Sequence, residues 1–238
     1  MSTADGRFTF VYNGEVTNYR ELRAELVFAG RCFRSDSDTE VLLEAWAAWG
    51  PAALERLEGM FALALLDRQA DSVTLARDPF GIKPLFYASL PTGLVFASEI
   101  PALLEFGGIS RRANTARLWD YLVRSTTDHG SETMLAALRQ VPPAHRLAVS
   151  LASPSSAEPE RYWRAENGEP RTNSFADAAD QLRGFVGGSG PRQRRRHVPP
   201  ALAPPVASAS AVRPPRAPRP RRTRGRPPPP AMLPQPAT

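Results

Sequence analysis

The sequence predicts an α+β domain in which antiparallel sheets carry helices on their outer faces. Apolar runs occur in pairs joined by polar turns, at 60–67 with 73–76 and at 84–88 with 94–98, and this pattern is typical of β-hairpins. Segments with helical spacing of apolar residues lie between these pairs. Hairpins alternating with helices favour antiparallel sheets that are covered by helices.

The N-terminal elements follow from local signals. An apolar run predicts a strand at 7–12. Thr17 or Asn18 can cap the next helix, and Gly30 ends it as a residue that tolerates left-handed backbone. A short strand is expected at 31–34, where Cys32 is interpreted as an ordinary strand residue.

The next helix has the clearest start signal in the chain. Ser37 and Glu40 stand three residues apart before an apolar run, which is the pattern of a capping box. Gly50 ends this helix. Further helices are expected at 99–106, 114–124 and 131–139, and a further strand at 145–151.

Composition divides the chain into three parts. All 24 acidic residues lie within 1–183, whereas 184–238 holds eleven arginines, no acidic residue and 15 of the 25 prolines. Such a segment cannot bury enough apolar surface to offset the entropy lost on ordering. We therefore predict a folded domain at 1–150, a linker at 151–186 that includes a weak helix at 174–186, and a disordered tail at 187–238.

Cysteine content and hydropathy indicate the compartment in which the protein is expected. A single cysteine allows no intrachain disulfide, which fits a reducing compartment. The start of the chain has no basic segment followed by an apolar one, and no apolar run reaches the roughly 18 residues of a membrane span. These features predict a soluble cytoplasmic protein without a membrane partner.

Asn13-Gly14-Glu15 follows the first predicted strand, but a helical pattern comes next, so this Asn-Gly does not turn a hairpin. Asn13 offers an amide donor, and Gly14 lets its backbone N–H approach a ligand because it has no Cβ. Two such donors can form an oxyanion hole, and Glu15 can hold an ammonium group. On residue types alone, a plain strand-to-helix turn is the alternative.

Two other polar stretches have both a structural and a functional interpretation. Asp36 and Asp38 precede a helix, where carboxylates are stabilised by the helix dipole. They can cap that helix, or Asp38 can be a second carboxylate for the same ammonium. Arg77, Asp78 and Lys83, the only lysine in the chain, are expected to form a structural network in a loop between buried strands.

Five motifs together indicate a family. They are, in order, YNGEVTNYRELRAEL, SDSDTEVLLEAW, LERLEGMFALALLD, ARDPFGIKPLFY and FASE. In this order and spacing the chain resembles, over residues 7–164, the glutaminase domain of class II glutamine amidotransferases, in particular the glutamine-hydrolysing asparagine synthetase family. The resemblance implies that Asn13 and Gly14 form the oxyanion hole and that Glu15 and Asp38 bind L-glutamine.

The resemblance also implies a fold and a reaction. The fold is a partial N-terminal-nucleophile-type αββα sandwich, with residues 1–150 as a partial glutaminase domain and 151–186 as a linker and the start of a synthetase-domain helix. In the family, hydrolysis of the glutamine amide supplies ammonia for the ATP-dependent amidation of aspartate to asparagine. ATP and Mg²⁺ belong to the synthetase domain, so no cofactor or metal is expected in this segment.

The chain departs from the family pattern at both ends. The family's N-terminal cysteine nucleophile and an early arginine for the substrate carboxylate find no match before Asn13, and Ser2 is not expected to replace the cysteine. The stretch at 187–191 lacks the aspartate of the family's ATP loop. We therefore expect a chain truncated at both ends, with a tail that a frameshift can explain, and no glutaminase activity from this chain alone.

Two further functions remain as alternatives. The acceptor of ammonia is chosen by the synthetase domain, so an amidotransferase of secondary metabolism, asparagine synthetase-like or β-lactam synthetase-like, fits the same motifs. The arginine-rich tail can instead neutralise nucleic-acid phosphates. It has no aromatic residue for base stacking and no helical spacing of its arginines, so nucleic acid is not the expected partner.

Overall fold

The computed structural model describes residues 1–194, except 92, 128, 155, 156, 167 and 169–173, together with 210–212. For 187–194 and 210–212 it describes the backbone only. The described strands form two sheets in which every pair of neighbouring strands is antiparallel. This confirms the antiparallel α+β class.

The strands are numbered in chain order. The first sheet has the order β1 (Phe8–Val16), β2 (Gly59–Asp67), β3 (Ser72–Arg77), β7 (His145–Ser150) and β8 (Glu160–Arg161). The second has the order β6 (Arg139–Gln140), β4 (Phe86–Leu90), β5 (Gly93–Ala97) and β9 (Ser210–Val212). The helices are α1 (Tyr19–Phe28), α2 (Asp38–Trp49), a 3-10 helix (Gly50–Arg56), α3 (Ile100–Leu104), α4 (Thr115–Arg124) and α5 (Phe175–Arg194).

Three apolar layers hold this arrangement together. Helices α1 and α2 pack on the outer face of the first sheet, around Leu26 and Phe61. The two sheets face each other across a second layer that includes Leu75 and Leu94, and α3 covers the far side of the second sheet through Leu103. Burying each such side chain contributes about 1.5–3 kcal/mol. The order helix, sheet, sheet, helix is that of an αββα sandwich.

Residues 31–34 do not form the strand that the sequence predicts. The Arg31 N–H donates to Leu26 O at 2.9 Å and closes the end of α1. The N–H groups of Arg34 and Ser35 donate to the Glu40 carboxylate at 2.9 and 2.7 Å. The backbone hydrogen bonds of this segment are therefore used by a helix cap and a side chain, not by a ladder.

The prediction of a helix at 131–139 is also wrong. The Thr133 side chain bonds to backbone groups that a helix would use in its own hydrogen bonds. The Thr133 hydroxyl accepts from Leu135 N at 3.1 Å and contacts Leu138 O at 3.0 Å. Threonine hydroxyls compete with helices in this way. The segment becomes a turn that leads into the two-residue strand β6.

The structure describes the backbone of two parts of the segment predicted as a disordered tail. Helix α5 continues to Arg194, and β9 pairs with β5 and forms one edge of the second sheet. The rest of the tail lies outside the described residues. Among the described helices, none has both the length and the apolar content needed to cross a membrane.

Candidate functional site

A cleft of about 580 Å³ opens along the free edge of β1, and the four site residues predicted from the sequence all line it. Asn13, Gly14 and Glu15 come from β1, and Asp38 is the first residue of α2. Two cationic residues, Arg20 and Lys83, also line the cleft. The structure therefore brings together residues that are separated by up to 70 positions in the sequence.

The sequence predicts that Asn-Gly-Glu follows the end of the first strand. In the structure, the tripeptide lies within β1. Strand β1 pairs without interruption with β2 from Phe8 to Val16. Phe61 lies opposite Gly14. Both backbone groups of Phe61 bond to Asp78 and not to β1, because the Asp78 N–H donates to Phe61 O at 2.8 Å and the Phe61 N–H donates to Asp78 Oδ2 at 3.2 Å. In an antiparallel ladder this makes Gly14 and Phe61 a non-hydrogen-bonded pair. The Gly14 N–H therefore points away from β2, out of the sheet edge.

Other even-numbered residues of β1 also point their N–H groups away from β2. The Phe10 N–H donates outward to Met1 O at 2.8 Å, and the Val16 N–H donates outward to Asp38 Oδ2 at 3.4 Å. Gly14 lies between these two residues on the same edge. Its N–H is thus presented along the edge that the cleft borders.

Packing against β2 explains why position 14 is a glycine. A Cβ added there would lie 2.2 Å from Met60 O and 2.7 Å from the Phe61 Cα, and both are backbone atoms. Any other residue would have to push the two strands apart. The glycine therefore allows close pairing on one side while its N–H faces the cleft on the other.

The side chain of Asn13 is held from the second sheet. Its Nδ2 donates to Ser98 Oγ at 3.0 Å, just after β5. An asparagine amide carries two N–H donors, so one remains after this bond. Ser98 belongs to the FASE motif, but its role was missed from the sequence because it is 85 positions from Asn13.

Asp38 is oriented toward the edge of β1. Its Oδ2 accepts from the Tyr12 hydroxyl at 3.2 Å and from the Val16 N–H. The start of α2 stabilises a carboxylate at this position through the helix dipole. Asp36 also lines the cleft but is exposed and pairs with Arg23 at 3.4 Å. Asp38 is therefore the better-placed carboxylate for a cationic group.

Glu40 fixes the turn before α2 and thereby helps to position Asp38. Burial raises the pKa of Glu40, but hydrogen bonds from the Ser35 hydroxyl and from the N–H groups of Arg34 and Ser35 lower it more, so the net pKa lies below its ordinary value. Ser37 Oγ accepts from Glu40 N at 3.3 Å, as the capping pattern predicts. The Glu40 side chain, however, reaches back to residues 34 and 35 and not to the cap.

Arg77, Asp78 and Lys83 form the structural network expected from the sequence. Asp78 is fully buried, and each of its carboxylate oxygens accepts two backbone N–H groups. The donors are Phe80 and Ile82 to Oδ1 and Phe61 and Lys83 to Oδ2. Arg77 donates to the carbonyl oxygens of the same loop, including Lys83 O at 2.8 Å. Hydrogen bonds between the backbone and the buried side chains of Arg77 and Asp78 therefore fix the loop.

Ser2 and Cys32, neither of which is expected to act as a nucleophile, lie away from the cleft. Ser2 forms an isolated bridge with Thr9, and Cys32 is exposed. Both line a separate pocket of about 260 Å³ at the N-terminus. Neither lines the cleft at Asn13.

Comparison with known proteins supports the resemblance of the motifs. A family model described as a glutamine amidotransferase domain matches residues 1–163. The chain is 32% identical over 192 residues to "Asparagine synthetase [glutamine-hydrolyzing] 3" of Bacillus subtilis, covering 81% of this chain and 31% of that protein. It is 48% identical over 103 residues to a putative asparagine synthetase [glutamine-hydrolyzing] of Mycobacterium tuberculosis, covering 43% and 16%. The chain therefore spans less than a third of the length of these relatives.

A solved structure is also similar. It is the glutamine phosphoribosylpyrophosphate amidotransferase from B. subtilis in complex with ADP and GMP, at 21% identity and a TM-score of 0.47, covering 70% of this chain and 32% of that one.

Proposed function

Since this chain belongs to the glutamine amidotransferase domain family, we propose that the cleft on the edge of β1 is a site for L-glutamine. One observation carries the proposal. Asn13, Gly14 and Asp38, which come from two layers of the fold, line one cleft, and the Gly14 N–H points out of the sheet edge that borders it. They offer two hydrogen-bond donors and an anion, which match the carboxamide oxygen and the ammonium group of glutamine.

The proposed pose follows from the charges. The α-ammonium of glutamine lies against Asp38 and Glu15, and the side-chain carboxamide oxygen accepts from Asn13 Nδ2 and Gly14 N. Donors placed in this way stabilise the negative charge that develops on the oxygen when the amide carbon is attacked. Ser98 supports the arrangement because its contact fixes the orientation of the Asn13 amide.

The described lining of the cleft contains no cysteine, which is the attacking residue in the family that the sequence resembles. We propose that this chain alone binds glutamine without hydrolysing it. In the longer relatives, whose names describe glutamine-hydrolysing asparagine synthetases, we propose that the equivalent site releases ammonia for asparagine synthesis. An amidotransferase of secondary metabolism is compatible with the same glutamine cleft, because the acceptor of ammonia is chosen by the synthetase domain.

Isothermal titration calorimetry of the purified chain with L-glutamine tests the proposal. We expect saturable binding, and we expect Asp38→Asn to weaken it about 10- to 100-fold, because a charged hydrogen bond contributes about 1.5–3 kcal/mol. Asp36→Asn is the matched control and should change the affinity less than about threefold. Absence of binding, or equal loss in both variants, would contradict the proposal.

A further inference from the structure

We propose that Lys83 makes the side-chain end of the cleft a carboxylate site, so that the chain binds L-glutamate, the product of glutamine amide hydrolysis in the family, as well as L-glutamine. This inference rests on the proposed function and assigns a role to the cation that the function leaves unused. It predicts that Lys83 distinguishes a side-chain carboxylate from a side-chain carboxamide.

The first observation is the position of Lys83 relative to Asn13. Asn13, Ala62 and Arg77 stand in register across β1, β2 and β3. Lys83 N and Phe61 N both donate to Asp78 Oδ2, at 3.0 and 3.2 Å. Phe61 lies opposite Gly14, so the backbone of Lys83 lies close to the part of the sheet that carries Asn13 and Gly14. Lys83 and Asn13 both line the cleft. This places Lys83 at the end of the cleft where the carboxamide is proposed to lie.

The second observation is how firmly the Lys83 backbone is held. Its N–H donates to Asp78 Oδ2 at 3.0 Å, and its carbonyl is taken by Arg77. Asp78 is fully buried and Arg77 is 8% exposed. With both backbone groups committed to the interior, the part of Lys83 that lines the cleft is its half-buried side chain. A cation on such a fixed base is well suited to hold an anion.

The third observation is the distribution of charge. In the part of the chain that the structure describes, no ion pair joins Lys83 to an acidic residue. Arg20, the other cation of the cleft, is on α1, is exposed and donates to the Tyr19 hydroxyl at 3.1 Å. It belongs to the helical layer that also carries Asp38. Asp36 and Asp38 lie at the start of α2, Asn13 and Glu15 lie on β1, and Lys83 lies in the loop between β3 and β4. Lys83 and the α2 carboxylates therefore reach the cleft from different elements.

Calorimetric titration with L-glutamine and L-glutamate at the same pH tests this inference. For the unmodified chain we expect both ligands to bind. We expect Lys83→Met to weaken L-glutamate about tenfold or more and L-glutamine less than about twofold, since only glutamate brings a full charge to this end. Lys83→Arg should restore most of the glutamate affinity. Arg20→Met, a matched loss of one cation from the cleft, should not separate the two ligands.

Other outcomes identify which idea fails. If Lys83→Met weakens both ligands equally, Lys83 binds the α-carboxylate that they share, and the inference is overturned. If it weakens neither, Lys83 does not contact the ligand, and the inference is again overturned. If neither ligand binds the unmodified chain, the proposed function itself is refuted. Lys83→Gln repeats the test with a polar neutral side chain, and thermal melting shows whether each variant is folded.

Discussion

Replacing Asp78 by asparagine should strongly destabilise the fold, because the carboxylate is fully buried and uses both oxygens. Oδ1 accepts two backbone N–H groups at 3.0 Å, and Oδ2 accepts two at 3.2 and 3.0 Å. Asparagine keeps one oxygen and presents an NH₂ group in place of the other. Whichever way the amide is oriented, two backbone donors lose their acceptor and face another donor.

The magnitude follows from these two lost bonds. An unsatisfied buried donor costs about 1–3 kcal/mol, so Asp78→Asn should reduce the free energy of unfolding by about 2–6 kcal/mol. That is a large part of the roughly 5–15 kcal/mol that a typical domain has. The substitution keeps the size of the side chain, so the loss comes from hydrogen bonding and charge and not from a cavity.

Urea unfolding followed by tryptophan fluorescence measures this change. Asp36→Asn is the matched control, because Asp36 is exposed and its pair with Arg23 is a surface contact; it should change stability by less than about 1 kcal/mol. A loss below about 1 kcal/mol for Asp78→Asn would show that the network does not hold the loop as described.

Three further predictions concern the edge of β1 and its support. Gly14→Ala should reduce the free energy of unfolding by about 3 kcal/mol or more, because its Cβ would lie 2.2 Å from a carbonyl oxygen of the paired strand. In the same urea assay, the control Gly107→Ala should change it by less than about 1 kcal/mol, because a Cβ there meets no atom within 4 Å. Glu40 has a lowered pKa in the folded chain, so its contribution is complete above its unfolded pKa of about 4.3 and is lost as the pH falls through the folded value; Glu40→Gln should therefore flatten the loss of stability between about pH 5 and pH 3, and an unchanged slope would refute this. Ser98→Ala should weaken L-glutamine binding several-fold with little change in melting temperature, since it releases the Asn13 amide; an unchanged affinity would show that this contact does not matter.

Much of the fold could be predicted from the sequence because its signals are local. The pairs β2 with β3 and β4 with β5 were visible as apolar runs joined by polar turns, and the Ser37 cap of α2 was visible as a spacing. The two-residue strands β6 and β8 are too short to leave a pattern. The turn at Thr133 was mistaken for a helix because its leucines have helical spacing, and only the tertiary fold shows that the hydroxyl takes their backbone groups.

The candidate site was predicted in its members but not in its geometry. Asn13, Gly14, Glu15 and Asp38 do line one cleft, and their roles in binding glutamine stay a prediction. The sequence ended β1 before Gly14, because glycine is a poor strand former. The structure shows that β2 accepts the close approach, with its own Gly59 opposite Val16. The contact of Ser98 with Asn13 joins the two sheets over 85 positions, which no local pattern reveals. The sequence placed Lys83 in a structural network but not in the cleft that it also lines.

The proposed pose requires that the N–H of Gly14 faces the bound glutamine. It is tested most directly by following backbone amide signals of the ¹⁵N-labelled chain by NMR during titration with L-glutamine. We predict that the Gly14 amide shows one of the largest saturable shifts, together with Val16 and the Asn13 side chain, while Phe10 on the same edge changes little. Saturable binding that leaves Gly14 unmoved and shifts residues away from this cleft would contradict the account.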